Sequence, residues 1–418
     1  MDTHNQNNVL DFQDPGMMPN ELMDMPGFVN ELKEHTLAVA PRPNEPLAFA
    51  GALAMLAHLT GRSYVDERGG HTNLYIAALA PTGMGKDEPR VTNKRLAAEA
   101  GILASVPDAI ASGEGLEDAV EESPSLLLQT DEADALLTAM RGGDSRASKL
   151  NEMVLRFFSE ARSGHAMRLK AGRPKAQVIP LPHLTLFATG IPKFVYGALT
   201  AKALENGLLG RCLFIETDAF TPLGEMRNEP LPENCVRIAK MMAAKEHKFN
   251  ETGILEPVVV REDDNAKCRI ADMKSTADIV AKRLFDSDLK TAAALYCRLY
   301  EKAMKIAMLT AISKNPENPV MTGGMVEYAA KLAVYITKKM LYEAQFNVAE
   351  GNFDRLKKRF MGLLTKHGGR YDHSSLLRGL PVDANLFKRI VLTLKMCDLI
   401  EDEMLSNGKC VYIAKGAA

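Results

Sequence analysis

The residues best suited to chemistry form a short loop between an apolar run and a helical stretch. Residues 73–79 are mostly apolar, and the loop that follows reads Pro81, Thr82, Gly83, Met84, Gly85, Lys86 and Asp87. Glycines let backbone N–H groups turn inward around phosphate oxygens, a lysine neutralises the β and γ phosphates, and the next helix presents its positive end. The spacing therefore predicts an ATP-binding loop of the P-loop kind.

Two positions depart from the pattern G-x-x-x-x-G-K-[ST]. Ala80 replaces the first glycine, and Asp87 replaces the Ser or Thr whose hydroxyl normally holds Mg²⁺. A carboxylate there could bind Mg²⁺ directly or through water, although it adds negative charge near the triphosphate. We predict that Asp87 is a metal ligand. For the loop as a whole, the alternative to a nucleotide site is a turn that merely has the right residues.

Two adjacent carboxylates end the next apolar run. Residues 126–130 lead into Asp131 and Glu132, about 45 residues after Lys86. ATP hydrolysis needs one carboxylate to orient Mg²⁺ and another to polarise the attacking water. We assign Asp131 to the metal and Glu132 to the water; the alternative is a pair of acids that cap a helix.

Two further residues follow later apolar runs. Thr189 ends the run 183–189, where a polar side chain could contact the γ-phosphate or the lytic water. Arg211 stands at the start of a predicted strand, and an arginine there could reach a neighbouring subunit's γ-phosphate and stabilise the transition state. The alternatives are a plain strand terminus for Thr189 and a structural ion pair for Arg211.

The elements that position these residues alternate between apolar runs and helical stretches. This rhythm predicts a mostly parallel sheet covered by helices, with strands at 73–80, 125–130, 183–189 and 210–216. Helices are expected near 28–39, 46–61, 232–245, 263–285, 288–314 and 323–349. The predicted fold is α/β, with a P-loop NTPase core of the RecA or AAA+ kind, helical subdomains and a C-terminal winged helix.

The predicted domain organisation has five parts. They are a disordered acidic tail (1–26), a helical lead-in (27–64), an ATPase core (65–260), a helical subdomain (261–350) and a winged helix (351–418). The tail is acidic because residues 1–34 hold seven acids and one lysine, and it could bind a replication protein.

The winged-helix prediction rests on the last 66 residues. Helical stretches near 353–366 and 383–396 flank a short helix opened by Ser374 and Ser375, and Asn407-Gly408 then marks a hairpin. Three helices and a terminal hairpin are typical of a winged helix.

DNA contacts are predicted in two basic regions. In the presumed recognition helix, Lys388, Arg389 and Lys395 could meet phosphates. Residues 141–175 hold nine Lys or Arg and three acids, and a turn in this segment carries Arg168, Lys170, Arg173 and Lys175. Protein docking is the alternative for the helix, and a solvated loop is the alternative for the turn.

Bulk properties exclude several classes. The net charge of −2 argues against a protein that coats DNA with a uniformly basic surface, and six scattered cysteines form no CxxC pair. The N-terminus has no basic region followed by an apolar run, and no apolar stretch approaches the roughly 20 residues that span a bilayer. We expect no membrane contact and a cytoplasmic location, in the host cytoplasm if a phage encodes the protein.

The order of these motifs resembles the P-loop ATPase domain of phage and prophage primase–helicase proteins. The resemblance spans roughly residues 28–345 and rests on the loop, on Asp131-Glu132, on residues 207–211 and on the helical run 298–307. It implies ATP hydrolysis with Mg²⁺, coupled to DNA unwinding by a homo-oligomeric ring that binds single-stranded or forked DNA, with a hexamer favoured. It also implies that Arg298 is a second nucleotide sensor. The sequence shows no segment that we expect to form a primase domain.

We therefore predict an ATP-driven replicative DNA helicase of a phage or mobile element. One alternative is a helicase loader or initiator ATPase, which strand displacement on a forked substrate would distinguish. The other is a nucleotide-gated DNA- or protein-binding module that Asp87 has deprived of hydrolysis.

Overall fold

The computed structural model describes residues 13–141, 145–169, 177–198, 207–245, 256–287, 289–347, 352–406 and 408–415. Two compact units are present. One is built mainly from residues 14–198 and 203–339, and the other mainly from residues 340–418. Among the described residues, no helix combines the length and apolar character needed to cross a membrane.

The larger unit is organised around a four-stranded parallel sheet. Its strands are β2 (Tyr75–Leu79), β3 (Ser125–Thr130), β6 (His183–Gly190) and β7 (Cys212–Glu216), in the spatial order β3-β6-β2-β7. Nearly every residue of these strands is buried, as expected for a parallel sheet covered on both faces. The predicted parallel sheet is confirmed.

Helices cover this sheet. They are α1 (Phe28–Val39), α2 (Glu45–Thr60), α3 (Glu88–Glu99), α4 (Gly113–Glu122), α5 (Ala133–Arg141), α6 (Ser145–Glu160), α7 (Pro192–Ala198), α8 (Leu208–Arg211) and α9 (Glu233–Lys245). Every residue of α2 from Leu47 to Thr60 is buried. The helix is apolar on all of its faces, and its side chains belong to the main hydrophobic core. Asn44 accepts a hydrogen bond from the backbone of Leu47 and caps its start.

The larger unit also has short strands that the sequence did not predict. β1 (Tyr64–Asp66), β8 (Val258–Glu262) and β9 (Val320–Met321) form a parallel three-stranded sheet in the order β1-β8-β9. β4 (Gly164–Ala166) and β5 (Val178–Pro180) pair antiparallel. These runs of two to five residues are too short to show a period of their own.

Four helices complete this part of the chain. They are α10 (Asp264–Asp286), α11 (Lys290–Cys297), α12 (Leu299–Lys314) and α13 (Gly323–Asn347). The single helix predicted over 288–314 is wrong, since α11 ends at Cys297, α12 begins at Leu299, and a turn at Arg298 (ψ −4°) separates them. No Gly or Pro marks this break, so the helical periodicity runs through it unbroken.

The predicted disorder of residues 1–26 is wrong for residues 13–26. Met18, Leu22, Met23 and Met25 are buried in the core of the larger unit, around a 3₁₀ turn at Asn20–Leu22. The hydroxyl of Tyr328 donates to the carbonyl of Leu22 at 2.9 Å. Flexible methionines fill irregular gaps without a helical or strand period, so their burial leaves no pattern in the sequence.

The smaller unit contains α14 (Asn352–Lys366), β10 (Arg370–Asp372), α15 (His373–Gly379), α16 (Ala384–Met396), β11 (Ile400–Met404) and β12 (Cys410–Ala414). Its strands form an antiparallel sheet in the order β10-β12-β11. Asp372, rather than Ser374 or Ser375, caps α15 by accepting a hydrogen bond from the backbone of Ser375. Phe360, Phe387 and other buried side chains form a separate core. The predicted helices and hairpin are therefore present, and the winged-helix assignment stays a prediction.

Candidate functional site

The glycine–lysine loop leaves the carboxyl end of β2 and enters α3. The backbone N–H of Ala80 donates to the carbonyl of Gly190 on β6 at 3.0 Å, which fixes the start of the loop. Gly83 and Gly85 have φ values of 77° and 79°. Both lie in the left-handed region that glycine adopts without steric cost, and this explains two of the residues in the motif.

The two glycines differ in what surrounds them. A Cβ on Gly83 would meet no atom within 4 Å, whereas a Cβ on Gly85 would lie 2.2 Å from the carbonyl oxygen of Arg42. Gly85 therefore lets the segment before α2 approach the loop closely. Asn44 from the same segment donates through Nδ2 to the carbonyl of Met84 at 3.3 Å. The helical lead-in thus supports the loop from its outer side, while Gly83 borders open space.

Lys86 lies inside the loop and points back toward its start. Its Nζ donates to the carbonyl of Ala80 at 3.2 Å. Burial lowers the pKa of Lys86, and the charges of Asp131, Asp87 and Asp134 oppose that shift without cancelling it. A half-buried ammonium with one neutral acceptor has unused donors, so it suits an incoming phosphate oxygen.

Asp131 and Thr189 come together because β6 lies between β3 and β2. Thr130 pairs with Ala188 in the sheet register, which places the next residues of the two strands side by side. The hydroxyl of Thr189 donates to Oδ1 of Asp131 at 2.7 Å. Burial raises the pKa of Asp131, but the Thr189 hydrogen bond, the Arg90 charge and the backbone N–H of Glu132 outweigh it, and the net pKa is lowered.

Arg90, which was not among the predicted site residues, joins the two predicted metal ligands. Its Nη2 lies 2.5 Å from Oδ1 of Asp87 and 3.3 Å from Oδ2 of Asp131. Gln129 on β3 donates to the backbone carbonyl of Arg90 at 2.8 Å and so fixes this turn of α3 against the sheet. The sequence did offer one sign of this contact, because Asp87 and Arg90 are three residues apart at the start of a helix and such residues lie on the same face. The guanidinium bridges two carboxylates that we assigned to Mg²⁺.

Glu132 begins the turn into α5 in an unusual conformation. Its φ of 63° lies in the left-handed region, which costs a non-glycine residue roughly 1–3 kcal/mol. Its carbonyl accepts hydrogen bonds from the N–H groups of Ala135 and Leu136 at 2.9 and 3.2 Å. The backbone of Glu132 therefore begins α5, as the helix-capping alternative proposed. The exposed carboxylate lines the same cavity as the loop, which leaves it available for chemistry.

The loop and the carboxylates share one cavity of about 470 Å³. It is lined by Thr82, Gly83, Met84, Gly85, Lys86, Asp87, Asp131, Glu132, Asp134, Gly190, Ile191 and Phe194. The volume falls within the range of small-molecule sites, and the open space at Gly83 together with the free donors of Lys86 fits a phosphate. Phe194 exposes 51% of its surface at the start of α7 and was also missed, because a single aromatic residue after a strand carries no motif.

A divalent ion at this cavity would draw only part of its coordination from the protein. Among the described residues, no three His, Cys, Asp or Glu side chains converge as a metal site. Mg²⁺ commonly takes one or two carboxylates and completes its shell with phosphate and water oxygens. Asp87 and Asp131, held by the same guanidinium, fit that requirement.

Arg211 and Arg298 lie at the other edge of the sheet. In the parallel register of β2 and β7, Tyr75 pairs with Cys212 and Leu79 pairs with Glu216. Arg211 therefore lies at the amino end of β7, whereas the loop follows the carboxyl end of β2. The length of strand between the two ends is about 13 Å. Arg211 donates to the carbonyl of Gly207 at 2.9 Å and to Oγ of Ser159 at 3.3 Å. It is the last residue of α8, and the strand that was predicted to begin at residue 210 begins at Cys212. Neither arginine lines the cavity that holds the Gly83–Lys86 loop. The contact of Arg211 with a neighbouring subunit's nucleotide and the sensor role of Arg298 therefore stay predictions.

The predicted DNA contacts have different surroundings. Arg168 bonds to Glu117 and to Asp118, the latter at 2.8 Å, so DNA binding through this side chain would have to displace both carboxylates. Lys170, Arg173 and Lys175 lie outside the described residues. In the smaller unit, Lys388 and Arg389 are exposed on α16, and Lys395 pairs with Asp402 at 2.6 Å.

Comparisons with known proteins give only distant likeness. No protein-family model matches the chain, and no curated protein matches it. A full-length MCM homolog from Methanopyrus kandleri is similar over 77% of this chain and 62% of its own, with 11% identity and a TM-score of 0.40. The chain thus spans less than two thirds of that protein's length. The apo structure of the NrS-1 C-terminal region is similar over 96% and 79%, with 13% identity and a TM-score of 0.27.

Proposed function

We propose that the larger unit is a Mg²⁺-dependent ATPase of the P-loop kind. The observation that carries this proposal is a single cavity in which the Gly83–Lys86 loop faces Asp131 and Glu132. The loop follows β2 and the carboxylates follow β3, with Thr189 on the intervening strand bonded to Asp131. Strand order therefore brings together donors for phosphate and acceptors for a metal and a water.

Each residue of this cavity has a distinct task in the proposal. Backbone N–H groups of residues 82–86 and the ammonium of Lys86 bind the phosphates. Asp131 and Asp87 would hold Mg²⁺, which neutralises charge on the β and γ oxygens when bound. Glu132 accepts a proton from the attacking water, and Thr189 keeps Asp131 ionised and oriented.

The proposed substrate of the whole protein is DNA. We propose an ATP-driven replicative helicase of a phage or mobile element that binds single-stranded or forked DNA and unwinds duplex DNA as a homo-oligomeric ring. The sequence resemblance to phage primase–helicase ATPases supports this, as does the balance of twelve Lys or Arg against seven acids in residues 353–418. Arg211, at the edge away from its own chain's cavity, would act across the ring on a neighbour's γ-phosphate.

The ATPase proposal is tested with Glu132→Gln. We expect wild-type protein to release phosphate from ATP with Mg²⁺, and the variant to bind fluorescent ATP normally while its turnover falls by at least about 100-fold. Glu99→Gln, an exposed residue at the end of α3, is the matched control and should retain wild-type turnover. Nucleotide binding without turnover in wild-type protein would overturn the ATPase proposal and favour the nucleotide-gated module.

The helicase proposal needs two further measurements. Strand displacement on a forked substrate should require ATP, and sedimentation should show a larger assembly with ATP and single-stranded DNA. ATP turnover without strand displacement would favour the loader or initiator alternative. A monomer under all conditions would remove any role for Arg211 across subunits.

A further inference from the structure

A second cavity of about 530 Å³ lies at the amino edge of the central sheet, opposite the Gly83–Lys86 loop. Four parts of the larger unit build it: the turn after β1, the end of α6, Lys274 on α10 and the first turns of α12. Its walls include Asp66, Arg68, His71, Asn73, Phe158, Arg162, Lys274, Arg298, Tyr300, Glu301, Met304, Lys305 and Met308. Nothing in the proposed ATPase reaction uses most of these residues.

Positive charge exceeds negative charge on these walls. Five Lys or Arg side chains face the cavity against two carboxylates. Both carboxylates are already engaged. Asp66 accepts from the backbone N–H groups of Arg68 and Gly70 at 2.8 and 2.6 Å, and Glu301 accepts from Arg298 at 2.8 Å. The excess charge is therefore not neutralised from within the cavity.

Three of the five cations have no carboxylate partner among the described residues, and two of these three are exposed. Arg68 pairs with Glu262 on β8, and Arg298 pairs with Glu301. Within the part of the chain that the structure describes, neither Arg162 nor Lys274 has an ion pair, and both are exposed at the cavity mouth. They can turn toward an anion without breaking any ion pair or hydrogen bond with the described residues.

The floor of the cavity holds buried polar groups that are incompletely matched. His71 exposes only 4% of its surface, and its Nδ1 has no hydrogen-bond partner among the described residues. Lys305 exposes 7%, donates to Oδ1 of Asn73 and lies 4.5 Å from the centre of the Phe158 ring. Burying a charge or an unpaired polar atom costs free energy unless a partner offsets it.

The pKa values of Lys305 and His71 are both lowered, as expected for buried basic groups. Burial lowers the pKa of Lys305 to about 8, and burial with the charges of Lys305 and Arg162 lowers the pKa of His71 to about 4. At neutral pH, His71 is uncharged and Lys305 retains most of its charge. A bound anion would favour the charged form of Lys305 and supply the partner that His71 lacks.

We propose that this cavity binds a small phosphorylated molecule of about mononucleotide size. The phosphate meets Lys305 and His71 on the floor and Arg162 and Lys274 at the mouth. Tyr300, Met304 and Met308 form an apolar wall for the organic part of the ligand. The volume is several times that of a phosphate ion, which is why the ligand carries an organic body.

The test separates this cavity from the ATP site. Calorimetry is run on the full-length chain carrying Lys86→Ala, so that binding at the loop does not contribute, with inorganic phosphate, ribose 5-phosphate and dTMP as probes. We expect both phosphate esters to bind, with inorganic phosphate at least tenfold weaker. Tighter binding of dTMP than of ribose 5-phosphate identifies a nucleotide, and equal binding identifies a sugar phosphate.

Charge variants locate the site. Arg162→Ala combined with Lys274→Ala should weaken the best probe by at least tenfold, because both residues are exposed and their loss leaves the core intact. Arg283→Ala, on the far side of α10 from Lys274, is the matched control and should not change affinity. Lys305→Met should abolish binding, and circular dichroism establishes whether that buried variant is folded.

The outcomes are distinguishable from those of the ATPase proposal. Failure of all three probes to bind, or equal affinity for the parent and the Arg162, Lys274 double variant, would overturn the cavity proposal. Neither result bears on phosphate release from ATP by the unmodified chain. Conversely, a chain without ATP turnover could still bind these probes.

Discussion

The hydroxyl of Thr189 donates a 2.7 Å hydrogen bond to Oδ1 of Asp131, across two neighbouring strands of the central sheet. The bond leaves Oδ2 of Asp131 facing Arg90 and the cavity. A carboxylate held at one oxygen presents the other in a defined direction, and this is what a metal ligand requires. The relationship makes Thr189 a positioning residue for Asp131.

Loss of this hydrogen bond is expected to slow ATP hydrolysis. Thr189→Val keeps the shape of the side chain and removes the donor, so we predict a 10- to 100-fold fall in kcat, with a higher Mg²⁺ concentration needed for half-maximal rate. Steady-state phosphate release at several Mg²⁺ concentrations measures both effects. Thr185→Val on the same strand is the control, because the Thr185 hydroxyl is buried without a partner. Equal rates for the two variants would contradict the assigned role.

The two loop glycines are expected to fail in different ways when replaced. Gly85→Ala places a Cβ against the carbonyl of Arg42 at a positive φ, so both thermal stability and ATP binding should fall. Gly83→Ala also has a positive φ but meets open space, so we expect a loss of stability of about 1 kcal/mol. Its methyl group would enter the space for phosphate and weaken ATP binding at least tenfold. Thermal melts and ATP titrations of both variants test this; a larger stability loss for Gly83→Ala would be contrary to it.

Arg90 is expected to compete with divalent ions for Asp87 and Asp131. Arg90→Met removes the cation shared by the two carboxylates, so Mn²⁺ binding to the nucleotide-free protein should tighten by about tenfold. Electron paramagnetic resonance of Mn²⁺ measures free and bound ion directly. Arg95→Met is the control, because Arg95 on the same helix donates to the backbone carbonyl of Glu229 instead. Weaker Mn²⁺ binding by Arg90→Met would show that the guanidinium organises the metal ligands rather than competing for them.

Buried His58 is expected to make folding less favourable in mild acid. Burial lowers its pKa from 6.5 to about 4 in the folded state. Between these values the unfolded chain takes up a proton that the folded chain excludes, so the free energy of unfolding falls as pH drops from 6.5 toward 4. The loss is about 1.4 kcal/mol per pH unit, or about 2 kcal/mol at pH 5.

Urea unfolding between pH 7.5 and 5 tests the His58 prediction. His58→Gln should have a shallower pH dependence than wild type. Ser105→Ala, which removes the 2.9 Å partner of His58 Nε2 and keeps the imidazole buried, should retain the wild-type slope. Identical slopes for wild type and His58→Gln would exclude His58 as the source.

Much of the candidate site could be predicted because its signals are local. The strand before the loop is a continuous apolar run, and the loop needs positive φ at Gly83 and Gly85, which glycine alone adopts freely. Asp131 and Glu132 directly follow another buried run. Parallel strands end at the same edge of a sheet, so the sequence already implied that these residues meet there.

Other features depended on contacts between distant segments. Arg168 lies in a basic run, yet its partners Glu117 and Asp118 come from a helix about 50 residues earlier. Strand β1 pairs with β8, which lies roughly 190 residues later in the sequence, and neither strand is long enough to show the alternation of a β-strand. The break between α11 and α12 at Arg298 is marked by no Gly or Pro, and the helical spacing of apolar residues continues through it.

The sequence by itself determined the glycine–lysine loop, the carboxylate pair and the alternation of strands and helices. Each depends on backbone conformation or on periodicity within a few residues. Only the tertiary structure decided that β6 separates β2 from β3, that Arg90 bridges Asp87 and Asp131, and that a second basic cavity forms at the opposite edge. These depend on which distant segments pack together, because burial and charge pairing are properties of the assembled core rather than of any short stretch of chain.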